Sequence, residues 1–406
     1  MSNVEKKIVK WLQKNCWWLM LIVISFLAIL IRYDVINFVS GDMSGFLIPW
    51  FDKIRKMGMY NALRQQVGDY NIPYQLLIIL MAKFKVDPIL GYKIISCCFD
   101  FVLAISTAVL ATTLVKTHKK AALFTSVYTV VLFLPTVFAN SALWGQCDSI
   151  YVSFIVLALV FLFKDKYGYS FIFLGIAFAF KLQTAFILPF YIYVYFAKKQ
   201  FSILYFLISL VTFYLPCLPA ILAGRSWLAP FNIYTQQSGE YPFISLNMPN
   251  IWALLGNTGH ISDELYGYKY FNVMQPMALI FTIALLGVGL FFILNKSVNF
   301  NNAITYIKFA VWTVWTCVMF LPAMHDRYGY LVDILLIVAT FLDSRLFAIT
   351  VIEILVSTLT YGIYLFQIKI QLWLLVLMYV GAYLMMTYYV FIKTNVSDKM
   401  TNSIHA

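Results

Sequence analysis

The sequence predicts an all-α polytopic membrane protein with about 12 transmembrane helices, in a range of about 10 to 13. Hydrophobic residues make up 62% of the 406 positions and charged residues only 11%, whereas soluble domains carry about 25% charged residues. Apolar runs near the length that crosses about 30 Å of hydrocarbon recur from Trp17 to Lys393. No polar stretch is long enough for a separate soluble domain, so one membrane domain is predicted.

That domain is predicted to span residues 17–393, between a cytoplasmic N-terminus (1–16) and a cytoplasmic C-terminal tail (394–406). The first apolar run has no small-residue cleavage site after it and is followed by Arg32, which favours an uncleaved span over a signal peptide. The predicted spans are 17–36, 90–115, 121–139, 143–163, 169–180, 185–196, 201–222, 271–294, 303–321, 328–342, 346–366 and 372–392. The two around Lys181 are short, and one kinked span is an alternative for them.

The distribution of Lys and Arg predicts the orientation. When the spans alternate from a cytoplasmic N-terminus, one side receives most lysines of the short loops, and cytoplasmic loops carry such an excess. The opposite, extracytoplasmic side receives two long segments, about 32–89 and 223–270. It also receives three polar clusters, at 144–148, 181–183 and 324–330. We therefore expect a multi-pass protein of the cell membrane whose functional site is extracytoplasmic.

The first long segment is rich in cations. Its stretch "FLIPWFDKIRKMGMYNALRQ" (46–65) places apolar residues at helical spacing with cations between them, which predicts an amphipathic helix in the membrane interface. Residues 72–85 are expected to dip into the bilayer and return. A full crossing there would reverse the sidedness of everything that follows.

The cysteines give no sign of a disulfide framework or a zinc site. Six are scattered along the chain, four of them inside apolar runs, and none has the paired spacing of metal ligands. We predict no metal, no cofactor and no nucleic-acid partner.

Two carboxylates stand next to predicted spans. Asp42 follows the first span in "SGDMSGF", where Gly41 and Gly45 let the backbone turn and a ligand approach. Asp42 is equally suited to cap a helix, and so is Asp148 in "WGQCD". Trp144 on its own is typical of the aromatic belt at a membrane interface.

Charged residues inside apolar runs are costly, so each is a functional candidate. Lys181, in "FLGIAFAFKLQTAFILPF", has no acid within four residues and needs an anionic partner from elsewhere. His325 and Arg327 follow another span, and Arg225 is a further cation on the same predicted side. These groups suit an anionic ligand whose apolar part stays in lipid, such as a lipid phosphate.

Other intramembrane charges have simpler interpretations. Asp100 lies two helical turns after Lys93, which indicates either an intramembrane ion pair or a ligand contact. The Asp333 carboxylate is expected to bond to the region around Arg327, in a supporting role.

Three motifs carry a family resemblance: "NSALWGQCDSIY", "GIAFAFKLQTAFILPF" and "FLPAMHDRYGY". In this order they resemble the polytopic GT-C glycosyltransferases, especially bacterial relatives of the GPI mannosyltransferases, which use sugars carried on polyprenyl phosphate. The resemblance runs from the first span to about Tyr330. It implies a GT-C-like fold, a polyprenyl-phosphate-sugar donor in the bilayer, and a cell-surface glycan or glycolipid acceptor.

The resemblance also implies roles for residues. Asp42 would be the general base of an inverting transfer. The donor phosphate would be bound by Lys181, His325, Arg327 and Arg225. The sugar or acceptor would be bound by Trp144, Gln146, Asp148, Gln183, Tyr328, Tyr241 and Asn247. Because the donor carries no nucleotide diphosphate and the sequence has no DxD pair, no metal is required.

Three other functions compete. A lipid or solute transporter is expected to show matching interrupted helices in its two halves, and the "WGQCD" segment has no such counterpart. A glycan ligase or polymerase with a diphosphate-linked donor favours an arginine-rich outer loop, whereas "AGRSWLAPFNIYTQQSGEYPF" carries only Arg225. A structural bundle with snorkelling side chains leaves the charge of Lys181 unexplained.

Overall fold

The computed structural model describes residues 1–115, 117–240, 243–255, 264–295, 300 and 302–393, and of 238–240, 264–271 and 393 only the backbone. The described chain is almost entirely helical, which confirms an all-α polytopic membrane protein. The placement of the N-terminus in the cytoplasm stays a prediction.

The α-helices are α1 (Asn3–Val35), α2 (Ile48–Met57), α3 (Met59–Arg64), α4 (Ile72–Lys83), α5 (Pro88–Leu114), α6 (Lys120–Leu132), α7 (Pro135–Phe138), α8 (Asp148–Phe163), α9 (Tyr167–Phe180), α10 (Leu188–Lys198), α11 (Tyr205–Tyr214), α12 (Leu218–Leu222), α13 (Ala229–Glu240), α14 (Glu264–Leu294), α15 (Ala303–Phe320), α16 (Tyr330–Leu342), α17 (Phe347–Phe366) and α18 (Leu372–Tyr388). Wider π-helical turns form at Met43–Leu47, Ala139–Trp144 and Tyr389–Lys393. Tighter 3₁₀ turns form at Leu182–Ile187, Leu215–Cys217, Ile251–Leu255 and Ser344–Leu346. Two short strands, β1 (Ser245–Leu246) and β2 (Met324–His325), pair in parallel.

Local sequence signals explain where the long helices begin. The Ser2 hydroxyl accepts from the backbone N–H of Glu5 at 3.2 Å, and the Glu5 carboxylate accepts from the Ser2 N–H at 2.5 Å. This capping box satisfies two N–H groups at the start of α1. At the start of α5, the Asp87 carboxylate accepts from the N–H of Leu90 at 3.0 Å, and Pro88 occupies the first helical position.

The predicted count of about twelve spans is not confirmed. Among the described residues, seven helices are long and apolar enough to cross a membrane, or eight if α6 and Pro135–Trp144, bent by 51°, form one broken span. Four further apolar helices, α4, α8, α9 and α16, have only 12 to 16 residues, which is about 18 to 24 Å of helix. The difference has two sources. The predicted span 121–139 is bent near Pro135, and the predicted spans 143–163, 169–180, 185–196 and 328–342 correspond to α8, α9, α10 and α16, which have 11 to 16 residues each.

The centre of the bundle is formed by α15 and α16, which pack against each other. In the most apolar part of α15, 83% of the residues are buried, compared with 11% in α1 and 22% in α14. Around this centre, α8 packs between α5 and α9. Residues 321–329, which connect α15 to α16, are therefore attached at both ends to the most buried helices of the fold.

Gly175 lies where α9 packs closely against α11. A Cβ atom there would overlap the backbone oxygen of Ser209 and the hydroxyl of Thr212. We expect Gly175→Ala to destabilise the protein by about 1 to 3 kcal/mol, measured as a lower thermal unfolding temperature in detergent. Gly381→Ala is the matched control, because a Cβ on that helical glycine meets nothing within 4 Å. Equal unfolding temperatures for the two variants would contradict this packing.

The predicted amphipathic helix at 46–65 is two helices, α2 and α3, separated by Gly58 with a φ of 75°. Phe51 and Ile54 are buried, whereas Lys53 and Lys56 are exposed, so α2 has an apolar and a cationic face. The following α4, with 12 residues, is about 18 Å long. This helix is shorter than the hydrocarbon core, and the dip into the bilayer expected for residues 72–85 stays a prediction.

The expected Lys93–Asp100 ion pair is wrong. Asp100 pairs instead with Arg32 of α1 at 2.9 Å and accepts from the Ser141 hydroxyl at 2.5 Å. Lys93 donates to the carbonyl oxygens of Ile36, at 2.8 Å, and Phe38. The unpaired carbonyl groups after α1 therefore bind the Lys93 ammonium group in place of Asp100.

The expected bond from Asp333 towards Arg327 is also wrong. The Asp333 carboxylate accepts from the hydroxyl of Thr136 at 2.6 Å and from that of Ser357 at 3.1 Å. Ser357 lies 3.3 Å from Glu353 as well, so both carboxyl groups belong to the α16–α17 packing.

Candidate functional site

Asp42 is held by side chains from distant parts of the chain. Its Oδ2 atom accepts from Trp144 Nε1 at 2.8 Å and from Gln146 Nε2 at 2.7 Å. Its Oδ1 atom accepts from the hydroxyl of Tyr364 on α17. The carboxylate makes no capping bond to the following π-helical turn. The capping alternative for Asp42 is therefore not what the structure shows.

An unusual backbone presents Trp144 and Gln146 to Asp42. The π-helical turn Ala139–Trp144 ends at Gly145, whose φ of 77° is left-handed. A Cβ atom at Gly145 would also overlap the end of the Met43 side chain, so glycine meets both requirements. π-Helical turns are often found at functional sites, and a second one begins directly after Asp42.

Trp144 donates to the Asp42 carboxylate, and other side chains of the protein cover its ring. The residue is fully buried. Its ring stacks on Tyr364 with centroids 4.5 Å apart and 16° between the planes, and the Arg327 guanidinium lies 5.5 Å from its centroid. The sugar-stacking role expected for Trp144 is therefore corrected, because other side chains of the protein cover the ring.

Lys181 forms an ion pair with an acidic residue from another part of the chain. Its ammonium group donates to Oδ1 of Asp148, which lies 33 positions earlier, and the two side chains are 7% and 0% exposed. Asp148 Oδ2 accepts from Asn140 Nδ2 at 2.8 Å. Asp148 is therefore neither a helix cap nor a cavity residue but the buried counter-ion of Lys181. The Lys181 side chain itself still reaches the cavity wall.

The short sheet positions the motif after α15. In the parallel pairing of β1 with β2, Leu246 is the partner of His325, and the N–H of Asp326 donates to the Leu246 carbonyl at 3.0 Å. Burial, with Arg327 and Lys181 nearby, holds the pKa of His325 well below its ordinary value. The imidazole is therefore neutral near pH 7. Burial also raises the pKa of Asp326 to about 7.

Arg327 lies between the two key carboxylates without a close hydrogen bond to either. Its Nη1 atom is 3.6 Å from Asp42 Oδ2, and its Nε atom is 3.7 Å from Asp148 Oδ2. Both separations exceed the usual range for N–H···O hydrogen bonds. Within the described part of the chain, Nε of Arg327 is buried with no hydrogen-bond partner. The guanidinium group therefore lies at ion-pair distance from both carboxylates, and the residue forms part of the cavity wall.

One cavity of about 990 Å³ collects most of the predicted residues. The predicted residues in its wall are Asp42, Trp144, Gln146, Lys181, Gln183, Asn247, His325, Arg327 and Tyr328. Other parts of the wall are apolar and include Leu182, Phe186, Leu279 and Leu321. The cavity therefore suits an amphiphilic ligand with a polar, anionic end.

Three buried polar atoms in this wall have no hydrogen-bond partner among the described residues: Gln183 Oε1, Asp326 Oδ1 and Arg327 Nε. Leaving such a group unsatisfied costs about 1 to 3 kcal/mol.

Arg225 does not reach the cavity. Its guanidinium group donates to the carbonyl of Leu63 at 2.7 Å and to the side-chain oxygens of Gln66 at 2.7 Å and Gln75 at 3.0 Å. The predicted phosphate contact from Arg225 is therefore corrected: the residue fastens the segment from α3 to α4. Tyr241, another predicted ligand residue, lies outside the described residues.

Two tyrosines of the site escaped the sequence analysis. Tyr364 donates to Asp42 across 322 positions, and Tyr70 donates to Gln146 Oε1 at 2.5 Å, which orients the amide towards Asp42. Burial holds the pKa of Tyr70 well above its ordinary value, so the phenol stays a donor. In the sequence, each is one aromatic residue among many, and no spacing marks either of them.

Comparison with models of known protein families finds none that matches the chain, and comparison with curated proteins finds no match either. A helical membrane fold by itself does not specify a function. The functional argument therefore depends on the chemistry of the cavity.

Proposed function

We propose that the protein is a GT-C-like membrane glycosyltransferase. In this proposal it transfers a sugar from a polyprenyl-phosphate donor to a cell-surface glycan or glycolipid, on the extracytoplasmic side of the cell membrane. Asp42 is the general base, and the anomeric configuration is inverted. The observation that carries the proposal is the cavity whose wall combines the Asp42 carboxylate, the Arg327 guanidinium 3.6 Å from it, and an apolar surface.

The charge of the site favours one phosphate in the donor. The charge of Lys181 is compensated by Asp148, and His325 is neutral near pH 7 because its pKa is lowered by burial. Arg327, whose guanidinium lies 3.6 Å from Asp42 and 3.7 Å from Asp148, is then the cation that remains for the donor. A sugar linked to a lipid through one phosphate carries a single negative charge, so it adds the least charge to a site whose carboxylates and cations already balance.

The proposed step is a single displacement. The acceptor hydroxyl oxygen forms a bond to the anomeric carbon while the bond from that carbon to the phosphate oxygen breaks. The hydroxyl proton passes to Asp42. Polyprenyl monophosphate leaves with both electrons of the broken bond, and Arg327 stabilises its growing charge. Gln183 and Asp326 supply acceptors for sugar hydroxyl groups.

The test is transfer by purified protein in proteoliposomes, with a panel of radiolabelled polyprenyl-phosphate sugars and membrane extract as the acceptor source. We expect label to enter a glycan or glycolipid and unlabelled polyprenyl phosphate to be released. Polyprenyl-diphosphate glycans are assayed in parallel. Transfer from these alone would identify a ligase or polymerase. Movement of a labelled lipid between leaflets without transfer would identify a transporter.

Arg327→Gln is expected to lower kcat/KM about 100-fold or more, because the variant loses the charge that faces the leaving phosphate. The measurement is initial-rate kinetics at several donor concentrations. Arg55→Gln is the matched control, because its guanidinium is 58% exposed on α2 and away from the cavity. An Arg327→Gln enzyme with unchanged kcat/KM would remove Arg327 from the phosphate site.

A further inference from the structure

The two carboxylate oxygens of Asp42 accept different numbers of hydrogen bonds. Oδ2 accepts two short hydrogen bonds, from Trp144 and Gln146. Oδ1 accepts one, from Tyr364, among the described residues. A carboxylate oxygen has two in-plane lone pairs. The side chain is 19% exposed and lies in the cavity wall, so a ligand in the cavity can approach the carboxylate.

Tyr364 is fixed from two sides. Its ring stacks on Trp144, which itself donates to Asp42. Its hydroxyl lies against Gly41, where a Cβ atom would stand 3.2 Å from the phenol oxygen. This separation is tight, so the glycine before Asp42 leaves the space that the hydroxyl occupies.

We infer that Tyr364 is a positioning residue, which holds Asp42 so that the second lone pair of Oδ1 binds the acceptor hydroxyl. The inference rests on the proposed function. During transfer, the hydroxyl proton moves to Oδ1 while the acceptor oxygen bonds to the anomeric carbon. The Tyr364 phenol keeps its own proton throughout. The protonated Asp42 then releases its proton to solvent, and the site returns to its starting state.

The charged and titratable groups that face Asp42 are Arg327, Tyr70, Asp326 and Tyr364. Of these, Tyr364 donates directly to Oδ1. A donor to a carboxylate stabilises the ionised form. Removing the phenol hydroxyl therefore makes ionisation less favourable, and a higher pH is needed to produce the active base. The acid limb of the pH–rate profile moves upwards.

The test is Tyr364→Phe, which keeps the stacked ring and removes only the hydroxyl. We expect the acid limb of kcat/KM to move up by about 0.5 to 1 pH unit, as the loss of one hydrogen bond implies. Tyr361→Phe is the matched control from one turn earlier on the same helix. Tyr361 meets the edge of Trp144, and its hydroxyl accepts from Asn140 rather than contacting Asp42. The pH–rate profile of Tyr361→Phe is expected to match that of the unsubstituted enzyme.

A second readout needs no substrate. Infrared titration of the Asp42 carboxylate, assigned from the difference against Asp42→Asn, is expected to show the same upward shift in Tyr364→Phe. An unshifted titration would overturn the inference, whatever the activity. A shifted titration in a protein that transfers no sugar would support the positioning role and remove the proposed function instead.

Discussion

Asp42→Asn is expected to lower kcat by about 100-fold to 10,000-fold, because an amide cannot take the proton of the acceptor hydroxyl. The amide also places an N–H group where the carboxylate now accepts from Trp144, Gln146 or Tyr364. Donor binding is expected to stay within a few-fold, since Arg327 is unchanged. The measurements are single-turnover transfer and donor binding on the same protein preparation.

Asp52→Asn is the control for this variant, since Asp52 is a partly exposed carboxylate on α2 that lies outside the cavity. Full transfer activity in Asp42→Asn would exclude Asp42 as the base. Failure of the variant to fold, with no folded fraction to assay, would instead assign the residue a structural role at the junction of α1, the 139–148 segment and α17.

Lys181→Met is expected to destabilise the protein by about 3 to 5 kcal/mol, because it removes the cation that hydrogen-bonds to the buried Asp148 carboxylate and leaves only Arg327, 3.7 Å away, opposite it. Asp148 is fully buried, so water does not replace the lost interaction. The measurement is thermal unfolding in detergent, together with the yield of folded protein.

The double variant Lys181→Met with Asp148→Asn measures the interaction within the pair separately from the interactions of each residue with its surroundings. Removing both charges is expected to recover a large part of the lost stability, as coupled partners do in a double-mutant cycle. Lys164→Met, at an exposed lysine after α8, is expected to leave stability unchanged. Unchanged stability in Lys181→Met with a loss of donor affinity would return Lys181 to the phosphate-binding role expected from the sequence.

The fold class followed from composition, because a chain with so few charges cannot be soluble. The number of spans did not. Hydropathy records where apolar residues are, but the bend at Pro135, inside the predicted span 121–139, depends on backbone geometry. The break at Lys181 was predictable, because a charged residue there separates two apolar runs.

The residues of the cavity were also largely predictable, since a polar group in an apolar chain needs a partner or a role. Their pairings were not predictable. Lys181 reaches Asp148 across 33 positions, and Arg32 reaches Asp100 across 68. Which residues become partners over such separations depends on how the helices pack. Tyr364 shows the limit most clearly, because only the placement of α17 beside Asp42 distinguishes it from other tyrosines.

The short sheet has a mechanical consequence. The N–H of Ala323 donates to the carbonyl of Ile244, and the N–H of Asp326 donates to that of Leu246, both at 3.0 Å. Asn247 follows β1 directly and lies in the cavity wall. These bonds therefore connect the segment before Asn247 to the segment that carries His325, in β2, and Arg327, two residues later. A ligand that displaces the stretch around Asn247 is expected to displace His325 and Arg327 as well.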